Sequence, residues 1–206
     1  TGKLTGSKNL GSYDIFLVKY DSNGSIQWTQ QVGTSTVDDG HAVTTDSSDN
    51  IYITGRTWGS LDGSNKPNVC KHATSTASKV CSDIFLAKYD SSGKKQWTKQ
   101  IVSSSKEIAN GIAVDSQGNI YLTGFTSGAL EGANSGSNDI FLIKYSSDGT
   151  LQFKEQFGSS GDDSGLGIKV DSKDNVYKTG FTEGGLDGNT NSGKQDIFLA
   201  KYNSSG

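Results

Sequence analysis

The sequence is poor in residues and runs that several common classes of protein require. Its 206 residues contain no Met, one Pro, two Cys and two His. No apolar run approaches the roughly 18 residues that a membrane-spanning helix needs. Lys and Arg total 19 against 22 Asp and Glu, and the basic residues form no cluster. We therefore expect no membrane span and no nucleic-acid partner.

Motifs of familiar enzyme classes are missing as well. The sequence has no Gly-x-Ser-x-Gly turn, no His-Glu-x-x-His helix and no phosphate-binding Gly-rich loop. A hydrolase that uses two carboxylates stays open as the least favoured alternative, because spacing along the chain does not give the separation of carboxyl groups in space. We predict no catalytic residues and a protein that is not an enzyme.

Gly and aromatic residues, in contrast, are plentiful. The 27 Gly are too many for a helical protein, since each helical Gly costs about 1 kcal/mol relative to Ala. The three Trp, eight Tyr and eight Phe exceed what a disordered chain would carry. The composition therefore predicts a turn-rich, all-β protein.

An internal repeat is the clearest feature of the sequence. The heptapeptide Asp-Ile-Phe-Leu-x-Lys-Tyr occurs four times, beginning at Asp14, Asp83, Asp139 and Asp196. The spacings between these starts are 69, 56 and 57 residues. Gly-x-Leu-x-Gly recurs at 2–6, 59–63, 128–132 and 184–188, and Asn-(Ile/Val)-Tyr-x-Thr-Gly at 50–55, 119–124 and 175–180. The unit is about 56 residues long, and its second copy carries an insertion within 64–82.

Each unit predicts four short strands separated by turn residues. The first strand covers 43–45, 112–114 and 168–170, and the second covers 51–54, 120–123 and 176–179. The heptapeptide forms the third strand, and the fourth contains Trp28, Trp97 or Phe153. Short connections require antiparallel neighbours. Because the third strand is apolar on both sides, the pattern predicts four-stranded sheets packed between neighbours, as in β-propeller blades.

Several anchors of the repeat are distinctive. They are the heptapeptide, the Asp-Ser-x-Gly turn, the acidic pairs at 38–39 and 162–163, and Val-Asp-Ser-x-x-Asn-x-Tyr-x-Thr-Gly. In these motifs the chain resembles the SBBP family of bacterial β-propeller repeats, and the stretch 112–121 is also similar to NHL-type propeller repeats. The resemblance implies an exported bacterial protein, extracellular or at the cell surface, and it implies no active site.

The phase of NHL-type repeats makes the first strand innermost and the fourth outermost. The chain then divides into a partial blade at 1–37, a blade at 38–106 with the insertion at 64–82, a blade at 107–162 and a partial blade at 163–206. This is an incomplete ring, because a propeller closes with about four blades or more. We expect further propeller blades or another copy of the chain at its open ends.

Departures from the repeat are candidates for function, and nearly all of them fall on the face that carries the insertion. Arg56 and Trp58 break the pattern there, and His41 stands where the other copies have Asn110 and Leu166. A guanidinium beside an indole suits a carboxylate, a sugar ring or a peptide. We predict that these residues bind a protein, peptide or glycan. The alternative is that Trp58 covers apolar surface and Arg56 pairs with a nearby acidic residue.

The two cysteines lie within the insertion and bracket a twelve-residue segment of it. Cys70 and Cys81 are absent from every other copy, and we predict that they form a disulfide, which is typical of an exported protein. Free thiols in a reducing compartment and a zinc site that includes His72 are the alternatives.

Three acidic residues align across the units. Asp38, Glu107 and Asp163 precede the predicted first strands, where a ring of carboxylates could bind Ca²⁺. The alternative is a solvated turn, and no other cofactor is expected.

The predicted function is therefore a non-catalytic binding or scaffold segment of a bacterial surface or secreted protein, with ligand contacts on the insertion face. A self-associating structural building block of a surface array or filament is the alternative.

Overall fold

The computed structural model describes residues 10–63 and 81–203, and within them it contains thirteen strands and no helix. These residues accordingly include no helix with the length and apolarity that a bilayer crossing needs. The strands are β1 (Ile15–Tyr20), β2 (Ile26–Val32), β3 (Asp38–Thr45), β4 (Ile51–Thr57), β5 (Asp83–Tyr89), β6 (Lys95–Ile101), β7 (Glu107–Val114), β8 (Ile120–Thr126), β9 (Asp139–Tyr145), β10 (Leu151–Phe157), β11 (Asp163–Val170), β12 (Val176–Thr182) and β13 (Asp196–Tyr202).

The strands form four antiparallel sheets in which neighbours in sequence are neighbours in space. Sheet I contains β1 and β2, sheet II β3 to β6, sheet III β7 to β10, and sheet IV β11 to β13. The first strands of sheets II, III and IV lie beside one another, so they are the inner strands and β6 and β10 are outer strands. The predicted all-β class with four-stranded blades is confirmed, and the described sheets do not close into a ring.

The third strand is the core of each complete sheet. In β5, Ile84 and Leu86 pack against sheet III, whereas Phe85 and Ala87 pack against sheet I. All four side chains are at most 1% exposed. The equivalent side chains of β9 are fully buried. The predicted burial of both sides of this strand is confirmed in sheets II and III.

The first strand of each blade is longer than the sequence predicted. β3, β7 and β11 begin five residues before the predicted starts, so Asp38 and its equivalents belong to the strands. Each strand contains a β-bulge, at His41, Asn110 and Leu166. Because a bulge interrupts the alternation of side chains between the two faces, the period-two pattern is visible only after it.

The second strand is also longer, by three residues, and a glycine explains how it continues. A Cβ on Gly124 would lie 1.9 Å from the carbonyl oxygen of Ile108, beside the bulge in β7. Only Gly lets the two strands approach this closely. The Gly of the Thr-Gly pair therefore allows the second strand to continue beyond the bulge. As a result Arg56, the residue after Gly55, lies within β4.

An aspartate organises each turn between the first two strands. Asp46 Oδ1 accepts hydrogen bonds from the backbone N–H groups two and four residues after it, and Oδ2 accepts from Asn50 Nδ2 and the Tyr52 hydroxyl. The turns that begin at Asp115 and Asp171 repeat this arrangement. The Asp-Ser-x-x-Asn-x-Tyr motif thus forms the hairpin turn between the first two strands.

A polar contact joins sheet I to a turn of sheet II, and its lysine bond recurs between sheets II and III. Lys19 Nζ and Trp28 Nε1 both donate to the carbonyl oxygen of Ser91, at 3.2 and 3.3 Å. Gly93 in that turn has a φ of 83°, and a Cβ there would lie 2.9 Å from the Trp28 ring. Lys88 makes the equivalent bond to the turn of sheet III. We call this arrangement the Lys–Trp clamp; it explains why Lys, the outer aromatic residue and the turn Gly recur together.

Lys178 interrupts the apolar core between sheets III and IV. It stands where sheets II and III have Ile and Leu, yet it is only 1% exposed. Its Nζ lies 4.1 Å from the ring centre of Phe157 and 5.0 Å from that of Tyr202, and it has no hydrogen-bond partner in the described part of the chain. Burial lowers the pKa of Lys178 to about 7, although the charge of Glu155 opposes the shift.

We predict that Lys178→Leu stabilises the protein at pH 7 by roughly 1–3 kcal/mol, because it removes an unpaired buried amine. The folded-state pKa lies below the unfolded value of 10.5, so the wild-type protein gains stability as the pH rises from 7 towards 10. The advantage of the variant, measured by urea unfolding, should therefore shrink across that range. Lys169→Ala, at an exposed lysine, is the control. An advantage that does not depend on pH would contradict the prediction.

Candidate functional site

Two sets of connections lie at the same end of the sheets. The connection from strand two to strand three of one sheet runs beside the connection that leads into the next sheet. The backbone bridges that join them are Tyr13 with Val37, Ser82 with Lys106, and Asn138 with Asp162. We call this end the loop face, and the opposite end, with the turns after the first and third strands, the turn face.

On the loop face of sheet II, Arg56 contacts Trp58. The guanidinium carbon lies 4.9 Å from the centre of the indole ring. Arg56 Nε and Nη2 lie 2.8 and 2.7 Å from Asp39 Oδ2, and Asp39 is the cross-strand partner of Arg56. The Arg56 and Asp39 side chains are 25% and 29% exposed. The guanidinium is therefore held between a carboxylate and an indole, with part of its surface in solvent.

The backbone beneath Trp58 is the same in three blades. The Trp58 N–H donates to the carbonyl oxygen of Val37 at 3.0 Å, and Ser127 and Glu183 make the equivalent bonds. Trp58 therefore shares its backbone conformation with Ser127 and Glu183 and differs from them in its half-buried side chain. A residue taken from either equivalent position should therefore be compatible with the backbone at position 58.

Sheet III carries a second pairing of a cation with an aromatic ring at the equivalent place. Lys106 Nζ lies 5.1 Å from the ring centre of Phe125, which occupies the position of Arg56. Lys106 also bridges Ser82, where the chain leaves the insertion. Lys106 was not predicted from the sequence, because β7 begins five residues before the predicted strand and Lys106 directly precedes that start.

His41 lies at the bulge of β3, two residues beyond Asp39, and its side chain is exposed. In sheet III, Nδ2 of its equivalent Asn110 donates to the carbonyl oxygen of Gly165, beside the next bulge, at 2.9 Å. The structure thus brings Arg56 and Trp58 into contact and places His41 on the inner strand.

The aligned residues Asp38, Glu107 and Asp163 hold the chain at the start of their own strands. Each accepts a hydrogen bond from the Ser or Thr four residues before it. Asp38 and Glu107 also accept from the Thr that ends the second strand. Among residues 10–63 and 81–203, no three His, Cys, Asp or Glu side chains are placed to hold a metal ion. Ca²⁺ therefore stays a prediction without a ligand set in these residues.

Glu107 is fully buried, and burial raises its pKa to about 7, although Ser103 and Thr126 donate hydrogen bonds to it. Its Oε2 has no partner within the described residues. The buried carboxylate is thus destabilising once it ionises.

We predict that Glu107→Gln is more stable than wild type at pH 8, by about 1–2 kcal/mol, because it removes that buried charge. The folded-state pKa lies above the unfolded value of 4.5, so wild-type stability falls as the pH rises from 4.5 to 7. Urea unfolding of the two proteins should give equal stabilities near pH 4. The exposed Glu183→Gln is the control and should show no such divergence.

Cys81 lies near the end of the insertion and is the first described residue after the gap at 64–80. It is buried, and its Sγ lies 3.4 Å from the carbonyl oxygen of Ser104. Cys70, His72 and residues 64–80 lie outside the described residues, so the disulfide and its alternatives stay predictions.

We expect unreduced protein to resist alkylation by iodoacetamide, because both thiols are oxidised in the predicted disulfide. Mass spectrometry before and after reduction measures the number of labels. Two labels on freshly purified, unreduced protein would show that the cysteines are thiols.

The repeated four-stranded sheets, packed face to face with their first strands adjacent, define a series of β-propeller blades. The family model described as "SBBP: Beta-propeller repeat" matches residues 27–62 and 96–130. Each match runs from the outer strand of one sheet through the first two strands of the next. The predicted resemblance to SBBP β-propeller repeats is therefore confirmed in these two regions.

Two curated proteins are similar to the chain. The "Uncharacterized WD repeat-containing protein L264" of Acanthamoeba polyphaga mimivirus is 28% identical over 150 residues, which are 68% of this chain and 11% of that protein. The "Regulatory protein FlaEY" of Caulobacter vibrioides is 28% identical over 175 residues, or 81% of this chain and 18% of that protein. The chain spans less than a fifth of either relative. The repeat family and these relatives support a binding or scaffold role without catalysis.

Proposed function

We propose that this chain is a non-catalytic binding segment of a bacterial surface or secreted protein and that its loop face contacts a protein, peptide or glycan. The observation that carries the proposal is the partly exposed Arg56 guanidinium, fixed between Trp58 and Asp39. The SBBP repeats and the WD-repeat relative support protein interaction. The resemblance to exported bacterial repeats supports the location.

The arrangement suits recognition because its parts are held in place before a ligand arrives. Asp39 fixes the guanidinium, which reduces the side-chain entropy lost on binding. The remaining N–H groups of Arg56 can bond a carboxylate or hydroxyl group, and an indole offers a flat face to a sugar or peptide. Lys106 and Phe125 extend the same combination of cation and ring to sheet III.

We predict that Arg56→Phe/Trp58→Ser reduces ligand binding at least about tenfold, since it removes the two predicted anchor side chains. Both new residues occur at the equivalent positions of sheet III, so the fold should be retained. The labelled 206-residue chain is applied to an array of glycans and carboxylate-bearing peptides. Lys94→Thr, which copies Thr150 on the turn face, is the matched control.

The wild-type and Lys94→Thr proteins should bind the same array members, and the double variant should lose them. Circular dichroism establishes that all three are folded. Array binding that survives in the double variant, or that Lys94→Thr also abolishes, would contradict the assignment to the loop face.

A self-associating building block is the second candidate, and a separate observation favours it. Ile197 and Leu199 at the end of sheet IV are 87% and 74% exposed, whereas the equivalent side chains of β5 are buried between blades. Phe16 and Tyr20 are exposed on the opposite face, at sheet I. Exposed apolar faces of this kind favour association. Sedimentation at rising protein concentration distinguishes this candidate from the first.

A further inference from the structure

The loop face presents different charges on neighbouring blades. Three equivalent positions directly precede the first strands of sheets II, III and IV, and they hold Val37, Lys106 and Asp162. Three further positions directly follow the second strands of these sheets, and they hold Trp58, Ser127 and Glu183. Because the repeat aligns these positions, the change from positive charge on sheet III to negative charge on sheet IV belongs to this chain and not to the repeat.

Backbone contacts join these positions into one row across the loop face. Within each sheet, the residue after the second strand donates its N–H to the carbonyl oxygen of the residue before the first strand, at 2.9 to 3.0 Å. Between sheets, Ser82 bridges to Lys106 and Asn138 bridges to Asp162. Ser82 and Asn138 directly precede β5 and β9, which pair with β4 and β8. We call this arrangement the rim row, and its order is Val37, Trp58, Ser82, Lys106, Ser127, Asn138, Asp162 and Glu183.

Lys106 contributes a positive charge to the rim row. Its side chain is half-buried, and its Nζ lies 5.1 Å from the centre of the Phe125 ring. In the described part of the chain it forms no ion pair. An aromatic ring attracts an ammonium group but carries no net charge, so Lys106 can pair with a carboxylate of a partner. Arg56, beside Trp58, adds a second positive charge, of which Asp39 is the one carboxylate partner.

The two carboxylates of the rim row have amide partners and, among the described residues, no cationic one. Asp162 Oδ1 accepts a hydrogen bond from the side-chain amide of its bridge partner. Glu183 Oε1 accepts from Gln195 Nε2 at 3.0 Å. An amide orients a carboxylate without cancelling its charge. The connection after β12 also contains Asp187 and Lys194, whose formal charges cancel. The rim row is therefore negative over sheet IV.

The spacing of the rim row gives the separation of these charges. Neighbouring strands lie about 4.8 Å apart, so Lys106 and Asp162, which are three steps apart, are separated by about 14 Å. Trp58, beside Arg56, is two steps or about 10 Å from Lys106 in the other direction. An extended peptide rises about 3.3 Å per residue. The row therefore matches charged residues that are three and four positions apart on one extended peptide.

We propose that the partner of the loop face is an extended polypeptide segment with acidic residues over sheets II and III and basic residues over sheet IV. The inference rests on the proposed function, which leaves the class of ligand open. The acidic residues pair with Arg56 and Lys106, and the basic residues pair with Asp162 and Glu183. A polypeptide supplies both kinds of side chain along one chain, whereas a neutral or acidic glycan offers no cationic group. Complementary charges fix the register of the segment and exclude other partners.

The test compares two synthetic peptides of the same composition on the 206-residue chain. The first, Glu-Ser-Ser-Glu-Ser-Ser-Ser-Arg-Ser-Arg, groups its charges as the rim row requires. The second, Glu-Ser-Ser-Arg-Ser-Ser-Ser-Glu-Ser-Arg, exchanges the two central charged residues. Biolayer interferometry with each biotinylated peptide measures the affinity. The wild-type chain should bind the first peptide saturably and at least about fivefold more tightly than the second, which places like charges at Lys106 and Asp162.

A charge exchange in the protein should reverse this preference. Lys106→Asp/Asp162→Lys moves each residue to the equivalent position of the neighbouring sheet and leaves the net charge unchanged. This variant should bind the second peptide more tightly than the first, and circular dichroism establishes that it is folded. Lys94→Thr on the turn face is the control and should keep the wild-type preference. Lys106→Val, which copies Val37, should reduce the preference for the first peptide even if the exchange variant misfolds.

Three results would overturn the proposal. One is the absence of saturable binding of the first peptide up to about 1 mM. Another is equal affinity of the wild-type chain for the two peptides. The third is a folded exchange variant that keeps the wild-type preference. A glycan that binds the wild-type array and is lost in Arg56→Phe/Trp58→Ser, without any peptide preference, would support the proposed function and overturn this inference, so the two failures are distinguishable.

Discussion

Burial of the third strand on both sides is the constraint from which the rest of the architecture follows. A strand with Ile and Leu on one face and Phe and Ala on the other needs an apolar neighbour on each side, and in β5 those neighbours are sheets I and III. Since every repeat presents the same two faces, the sheets stack in chain order with their first strands adjacent. Because the sheets stack in this way, the loops that connect their strands lie at the same two ends of every sheet. Arg56 and Lys106 therefore both lie on the loop face.

Each repeated motif stabilises one part of the stacked sheets. Asp46 and its equivalents close the first hairpin, and the Thr-Gly step lets the second strand pass the bulge beside it. Gln100 on the fourth strand of sheet II donates hydrogen bonds to Asp83 at the start of the third strand and to Gly59 in the Gly-x-Leu-x-Gly loop, and it accepts one from Leu61 in that loop. Because the side chains of the repeated motifs stabilise the fold, the side chains that differ chemically between blades lie at other positions, such as Trp58 and Lys178.

Much of the fold could be predicted from the sequence, because four copies of one heptapeptide reveal strand three and the phase of its neighbours. The bulges could not be predicted from the sequence, since a different residue lies at each bulge (His41, Asn110 and Leu166) and the alternation of apolar and polar residues is interrupted there. A partner for Arg56 among nearby acidic residues was the alternative that the sequence left open, but naming Asp39 as that partner requires the cross-strand register. The pattern aligned the three carboxylates, but it did not connect them to the Ser and Thr hydroxyl groups four residues earlier, which donate hydrogen bonds to them.

The Lys–Trp clamp gives the row of blades a direction. Lys19 and Trp28 of sheet I donate hydrogen bonds to the turn of sheet II, so both bonds run in the same direction along the row of sheets. Sheet II thus accepts these bonds through its turn on one side and donates the equivalent lysine bond on the other, so its two sides are chemically different. Contacts between such units are heterologous and not two-fold symmetric, so any assembly extended through these sides grows with a fixed polarity.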